Sequence, residues 1–127
     1  MSKYCERLIA YIEENPTCIE PENHRQVILG RLKKEGLKDL SISRTSFSWG
    51  IPVPAGFDQR HVMYVWFDAL TNYISGVYGL NPEHPLYKYW PATKHIIGKD
   101  IVWFHCVIWP CMLMSAELPL AGTLLGS

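Results

Sequence analysis

Apolar residues in the first part of the chain recur at helical spacing. Leu8, Ile9 and Ile12 form a stripe on Lys3 to Asn15, and the spacing predicts a helix that Asn15-Pro16 stops. Pro21 opens a second predicted helix, striped by Val27, Ile28, Leu29 and Leu32. Lys33, Lys34 and Gly36 are the residues expected at its exit. Residues 1–38 therefore predict a helical hairpin with no chemical motif, a packing or connecting element.

From residue 39 the pattern changes. Asp39 to Arg44 alternates as an extended segment does, and Gly50 to Gly56 is a Pro/Gly-rich loop unsuited to a central strand. Val62 to Phe67, rich in β-branched and aromatic residues, predicts a strand. Asp68 stands as the N-cap of a helix running to about Val77. Gly79 to Pro91 is a turn-rich loop, and Lys94 to Ile97 a short buried strand. Gly98-Lys99-Asp100 makes the next turn, with Asp100 the expected N-cap of a helix from Ile101 to about Ala116 that Pro110 bends. The closing Leu-Leu-Gly opens a further strand. Two strand-turn-helix units in succession predict an α/β fold with a parallel sheet and a ligand at the carboxyl ends of its strands.

Composition narrows the function classes. The 127 residues carry 12 basic and 12 acidic side chains, so bulk charge gives no reason to expect nucleic-acid binding. A hydrophobic share of 48% argues for a packed core over disorder. Cys5, Cys18, Cys106 and Cys111 form no Cys-x-x-Cys pair, so neither a disulfide framework nor a zinc site is expected, and a reducing compartment fits. The apolar run from Ile101 to Met114, interrupted by His105 and Pro110, is too short and mixed to span a bilayer, so no membrane partner is expected.

The candidate chemistry lies on the second half of the chain. Asp100 either caps a helix or accepts hydrogen bonds from a ribose. Gly98 and Lys99 favour the second role, because glycine admits a ligand to the backbone and lysine places a charge beside it. The spacing is not that of a phosphate-binding loop. His105 lies on a helix face with Ile101 and Ile108, as a hydrogen-bonded core residue or as a ligand contact. With Trp66 and Tyr73 it would make an apolar, aromatic pocket suited to a small side chain such as a thioether; plain core packing is the alternative. By themselves these residues name no reaction.

Five phrases carry a resemblance. They are Asp39-Leu-Ser-Ile-Ser-Arg44, Trp49-Gly-Ile-Pro-Val-Pro54, Tyr64-Val-Trp-Phe-Asp-Ala-Leu-Thr-Asn-Tyr-Ile-Ser75, Trp90-Pro-Ala-Thr-Lys-His-Ile-Ile-Gly-Lys-Asp100, and Phe104-His105 with Ile108-Trp109-Pro110. In this order they resemble the methionyl-tRNA synthetase family of class I aminoacyl-tRNA synthetases. The resemblance implies half of a Rossmann-like catalytic domain over 39–127, preceded over 1–38 by the helical end of its connective insertion. It implies activation of methionine with ATP and Mg2+, then transfer to tRNA(Met). By the same resemblance Trp66, Ala69, Leu70, Tyr73, Ile101 and His105 line a methionine pocket, and Gly98 and Asp100 contact adenosine. Arg44 and Lys99 assist with ATP as catalytic residues.

The sequence also departs from the family. It contains neither the His-Ile-Gly-His-type nor the Lys-Met-Ser-Lys-Ser-type signature, and Leu118 to Gly126 drifts from the family's wording. The expectation is a truncated catalytic domain, inactive alone, from a cytoplasmic enzyme or, alternatively, one of a mitochondrion or other organelle. Two other readings stay open on the residues alone: a non-catalytic module derived from a synthetase, and a gene fragment without function.

Overall fold

The two apolar stripes at the start of the chain form the predicted helices. In the computed structural model, which describes all 127 residues, α1 spans Cys5–Glu14 behind a short 3-10 turn, and α2 spans Glu22–Glu35. Leu8 and Ile12 of α1 meet Ile28, Leu29 and Leu32 of α2 in one core. Arg25 reaches back from α2 and donates two hydrogen bonds to the Ile12 carbonyl, at 3.3 and 3.0 Å. These cover an acceptor that the last turn of α1 leaves open. Lys33 and Glu13 add an ion pair across the hairpin.

Between the helices lies a strand that periodicity did not reveal, β1 at Ile19–Glu20. The chain next forms β2 at Ser43–Arg44, β3 at Val62–Met63, α3 at Val65–Ser75, β4 at Lys94–Ile97, α4 at Trp109–Ser115 and β5 at Thr123–Gly126. β1, β5 and β4 build a parallel sheet in that order, with Ile19 opposite Leu124 and His95 opposite Leu124 on the other side. The last strand in sequence is thus the central one. The predicted parallel sheet and the strands at Lys94–Ile97 and at the chain's end are all present.

One predicted strand is corrected. Val62 to Phe67 does not enter the parallel sheet: only Val62–Met63 is extended, and it pairs antiparallel with Ser43–Arg44 as a separate ribbon. The helix starts at Val65, four residues early, with Tyr64 at the N-cap and Asp68 inside the first turn. The reason is burial at period 3.6. Trp66 lies one turn before Leu70 on the same face and, as part of the helix, stacks on Phe104, and this overrides the strand propensity of Val-Trp-Phe. Asp39 to Ile42 likewise stays outside the ribbon, which begins at Ser43.

The last predicted helix is three pieces. A 3-10 turn at Lys99–Ile101 leads into a π-helix at Phe104–Ile108, then α4. Asp100 caps nothing: Gly98 holds the N-cap position without a side-chain bond, and Asp100 is exposed. Pro110 has no N–H for the Cys106 carbonyl, and the widened turn lies directly ahead of it. This stretch joins two cores. Val107, Cys111 and Met114 pack toward α1, α2 and the sheet, whereas Ile108, Trp109 and Leu113 pack on Leu70, Ile74 and Trp90.

Candidate functional site

The site is built where α3 crosses the π-helix. Trp66, Ala69, Leu70 and Tyr73 fall three or four residues apart on α3 and so share one side of it. The π-helix presents His105 to them. The Tyr73 hydroxyl and His105 Nε2 are 2.6 Å apart, and His105 Nδ1 lies 3.0 Å from the Ile101 carbonyl. A carbonyl only accepts, so Nδ1 carries a proton and donates it. In the neutral ring Nε2 then accepts from the Tyr73 hydroxyl. His105 is 1% exposed, so the pair is sheltered from competing water.

Aromatic rings surround this pair. Trp66 stacks on Phe104, with centroids 4.3 Å apart and planes at 16°. The edge of Trp66 meets His105 at 6.3 Å. Trp109 is 6.0 Å from Tyr73 on another side. His95 of β4 completes the group, 4.4 Å from Tyr73 at 68° and 5.9 Å from His105. Burial holds the His95 imidazole below its ordinary range, with His105 as a second cause, and burial raises the Tyr73 phenol. The arrangement is a neutral, aromatic face with one oriented hydroxyl. It is suited to an apolar ligand with a weak polar atom.

The structure brings Trp66, Tyr73 and His105 together, and Ile101 joins them through its carbonyl while its side chain packs on the first core. Ala69 sits exposed on the same stretch of α3, while Leu70, 1% exposed, lies beneath it in the core. Gly98, Lys99 and Asp100 follow β4 as an exposed turn that ends at Ile101, adjoining the aromatic face in the chain. Arg44 lies apart, on β2. Its guanidinium sits 4.2 Å over the Tyr64 ring and donates to the Ser41 and Ser43 carbonyls, beside a groove of about 560 Å³ that Val65 and Asp68 also line. No hydrogen bond or ion pair joins Arg44 to Lys99 or Asp100.

The family profile described as "tRNA synthetases class I (M)" matches residues 1–127. The chain belongs to the class I tRNA synthetases. It is 50% identical over 127 residues to a methionine–tRNA ligase of Clostridium acetobutylicum, covering 99% of this chain and 19% of that protein. It is 54% identical over 120 residues to a methionine–tRNA ligase of Brucella suis biovar 1, 94% of this chain and 23% of that one. Among solved structures it is similar to Mycobacterium tuberculosis methionyl-tRNA synthetase in complex with methionyl-adenylate. The TM-score is 0.89 and the identity 47%, over 98% of this chain and 24% of the other. The chain therefore spans about a fifth of the length of the curated relatives it matches.

Sequence reasoning missed His95 in this group. The alternation of Lys94–Ile97 does put His95 and Ile97 on one face, which is the buried one. That period-two signal was the means to find it. No three His, Cys, Asp or Glu side chains gather at metal-binding distance, and no helix is long and apolar enough to cross a membrane.

Proposed function

We propose that this chain works as part of a methionine–tRNA ligase, which activates methionine with ATP and joins it to tRNA(Met). The observation that carries the reading is the Tyr73–His105 pair, oriented by the Ile101 carbonyl directly after the Gly98-Lys99-Asp100 turn. It occurs in a chain that matches methionine–tRNA ligases along its whole length.

In this reading Trp66, Ala69, Tyr73, Ile101 and His105 form the face that takes the methionine side chain, and Leu70 supports it from the core. A thioether is large, polarizable and a weak acceptor, which suits stacked rings better than charged groups. Gly98 lets adenosine approach the backbone, and Asp100 accepts hydrogen bonds from its ribose. Lys99 and Arg44 supply positive charge toward the phosphates, where charge builds up as pyrophosphate leaves. Mg2+ arrives with ATP as the counter-ion of those phosphates. The boundary at residue 38 is one of origin in this reading, not of packing, since β1 of the hairpin segment pairs with β5. The enzyme works in the cytoplasm, with a mitochondrion or other organelle as the alternative.

The 127-residue chain by itself is inactive in this reading. Adenylate formation needs the reactants held in line, and an exposed turn with two separated cations cannot do that alone. The test is a chimaera in which these 127 residues replace the matching segment of the C. acetobutylicum methionine–tRNA ligase. Methionine-dependent exchange of pyrophosphate into ATP is expected from the chimaera and not from the chain. A folded chimaera that exchanges with another amino acid, or with none, overturns the reading.

A further inference from the structure

His95 has a feature that packing does not explain. It is 5% exposed, and its Nε2 is one of only two buried side-chain polar atoms in the molecule without a hydrogen-bond partner. Leaving such an atom unpaired is costly, and a phenylalanine would fill much of the same space without that cost. The imidazole does have a neighbour of the right kind. Tyr73 lies 4.4 Å away, with the two planes at 68°, an edge-to-face geometry. In that geometry a ring edge bearing positive hydrogens meets a negative aromatic face.

We propose that His95 is a positioning residue for methionine recognition: its Nε2–H rests on the face of Tyr73 and fixes the angle from which the Tyr73 hydroxyl meets His105. This rests on the methionine-binding reading of that face. The structure supports the chain of action in both directions. The hydroxyl is held at one end by His105, whose own proton is held by Ile101, and the ring is held at the other end by His95. β4 carries His95 three residues ahead of Gly98, so the strand that leads into the nucleotide turn also sets the tyrosine. A neutral His95 suits the role, because a charge here would sit 5.9 Å from His105 in a buried site.

The experiment uses the chimaera described above, with His95→Phe and His95→Leu. Both remove the unpaired nitrogen. Each variant is expected to melt no lower than the parent, yet to raise the KM for methionine about two- to fivefold, the size of one weak aromatic contact. The KM for ATP and kcat should hold. In a Tyr73→Phe background His95→Phe should add nothing further, because it acts through the hydroxyl. An unchanged methionine KM overturns the proposal. So does a KM rise that adds fully to that of Tyr73→Phe, or equal rises for methionine and ATP with a lower melting point. A parent chimaera that is folded but inactive overturns instead the reading on which this proposal rests. One further measurement is independent of turnover: the ring N–H proton of His95 should resonate upfield from ring current, and a normal shift for it counts against the contact.

Discussion

Tyr73 and His105 form a hydrogen bond whose direction is fixed by a third group. Ile101 offers only a carbonyl, so in the neutral ring the His105 proton belongs on Nδ1 and the Tyr73 hydroxyl donates to Nε2 across 2.6 Å. The π-turn matters to this. It carries His105 four residues after Ile101, where its Nδ1 is 3.0 Å from that carbonyl.

Tyr73→Phe should therefore cost more than a surface hydroxyl would. His105 is 1% exposed, and the change leaves its Nε2 without a donor. A buried group stripped of its partner costs about 1–3 kcal/mol. Urea unfolding followed by circular dichroism should show the midpoint falling accordingly. A loss within the scatter of surface substitutions would mean that water reaches Nε2.

The neighbouring His95 gives a pH signature. Burial first, and His105 second, hold its folded-state pKa below the ordinary 6.5. The unfolded chain therefore takes up the proton at higher pH than the folded chain does, and the unfolded state is favoured as pH falls. The melting temperature should drop as pH is lowered through about 6.5, then level off below the folded-state pKa. Tyr73 and His105 face the same group, so the informative quantity is the difference from His95→Phe. That variant should flatten the drop between pH 7 and the folded-state value.

Much of the fold was legible because burial is periodic. The stripes at Leu8 and Ile12, and at Ile28, Leu29 and Leu32, are the two faces that meet in the core. The β4 strand and its turn were legible for the same reason. β1 was not: two residues, Ile19 and Glu20, carry no period, and their partner is Leu124–Leu125 at the other end of the chain. The run from Val62 was misread because Val, Trp and Phe favour a strand locally, while the stacking of Trp66 on Phe104, distant in sequence, favours the helix. In the site, Tyr73 and His105 could be named from their residue types, but the unpaired nitrogen of His95 is a three-dimensional fact.

Gly122 marks where the central strand meets its neighbour most closely. A Cβ there would lie 2.5 Å from the Thr93 carbonyl oxygen, which is backbone and cannot turn away. The same carbonyl accepts from the Thr123 N–H at 2.9 Å, so a shift would loosen the start of β5 and its pairing with β4. Gly122→Ala should destabilise the chain by about 1–3 kcal/mol, as overpacking does. Hydrogen exchange should show the loss at Thr123 and Leu124 first.

The cysteines should sort by reactivity. Burial pushes the Cys106 thiol up to about 12 and the Cys111 thiol up to about 11, and it raises Cys18 as well. Only a thiolate attacks an alkylating reagent, so these three should be silent in the folded chain. Cys5 is partly exposed on the first turn of α1. Iodoacetamide at pH 8, read by peptide mass spectrometry, should label Cys5 and spare Cys18, Cys106 and Cys111 until denaturant is added. Rapid labelling of Cys106 in native buffer would contradict the packing of the π-helix.

Asp100 separates structure from chemistry most cleanly. A carboxylate at a helix start usually has a capping role, and its removal then costs stability. Here Gly98 holds the cap position, Asp100 makes no side-chain hydrogen bond to the turn, and it is exposed. Asp100→Ala should therefore leave the melting temperature of the chain within a degree or so of the parent, as surface changes do. If the carboxylate instead holds the ribose of ATP, the same substitution in the chimaera removes a group that orients the reacting phosphate. Loss of one such positioning contact costs about a hundredfold or more in rate. Methionine-dependent pyrophosphate exchange should fall by that order while methionine binding, read from tryptophan fluorescence, is retained. A variant that melts early and binds neither substrate would return Asp100 to a structural role, and exchange at the parent rate would remove it from the site.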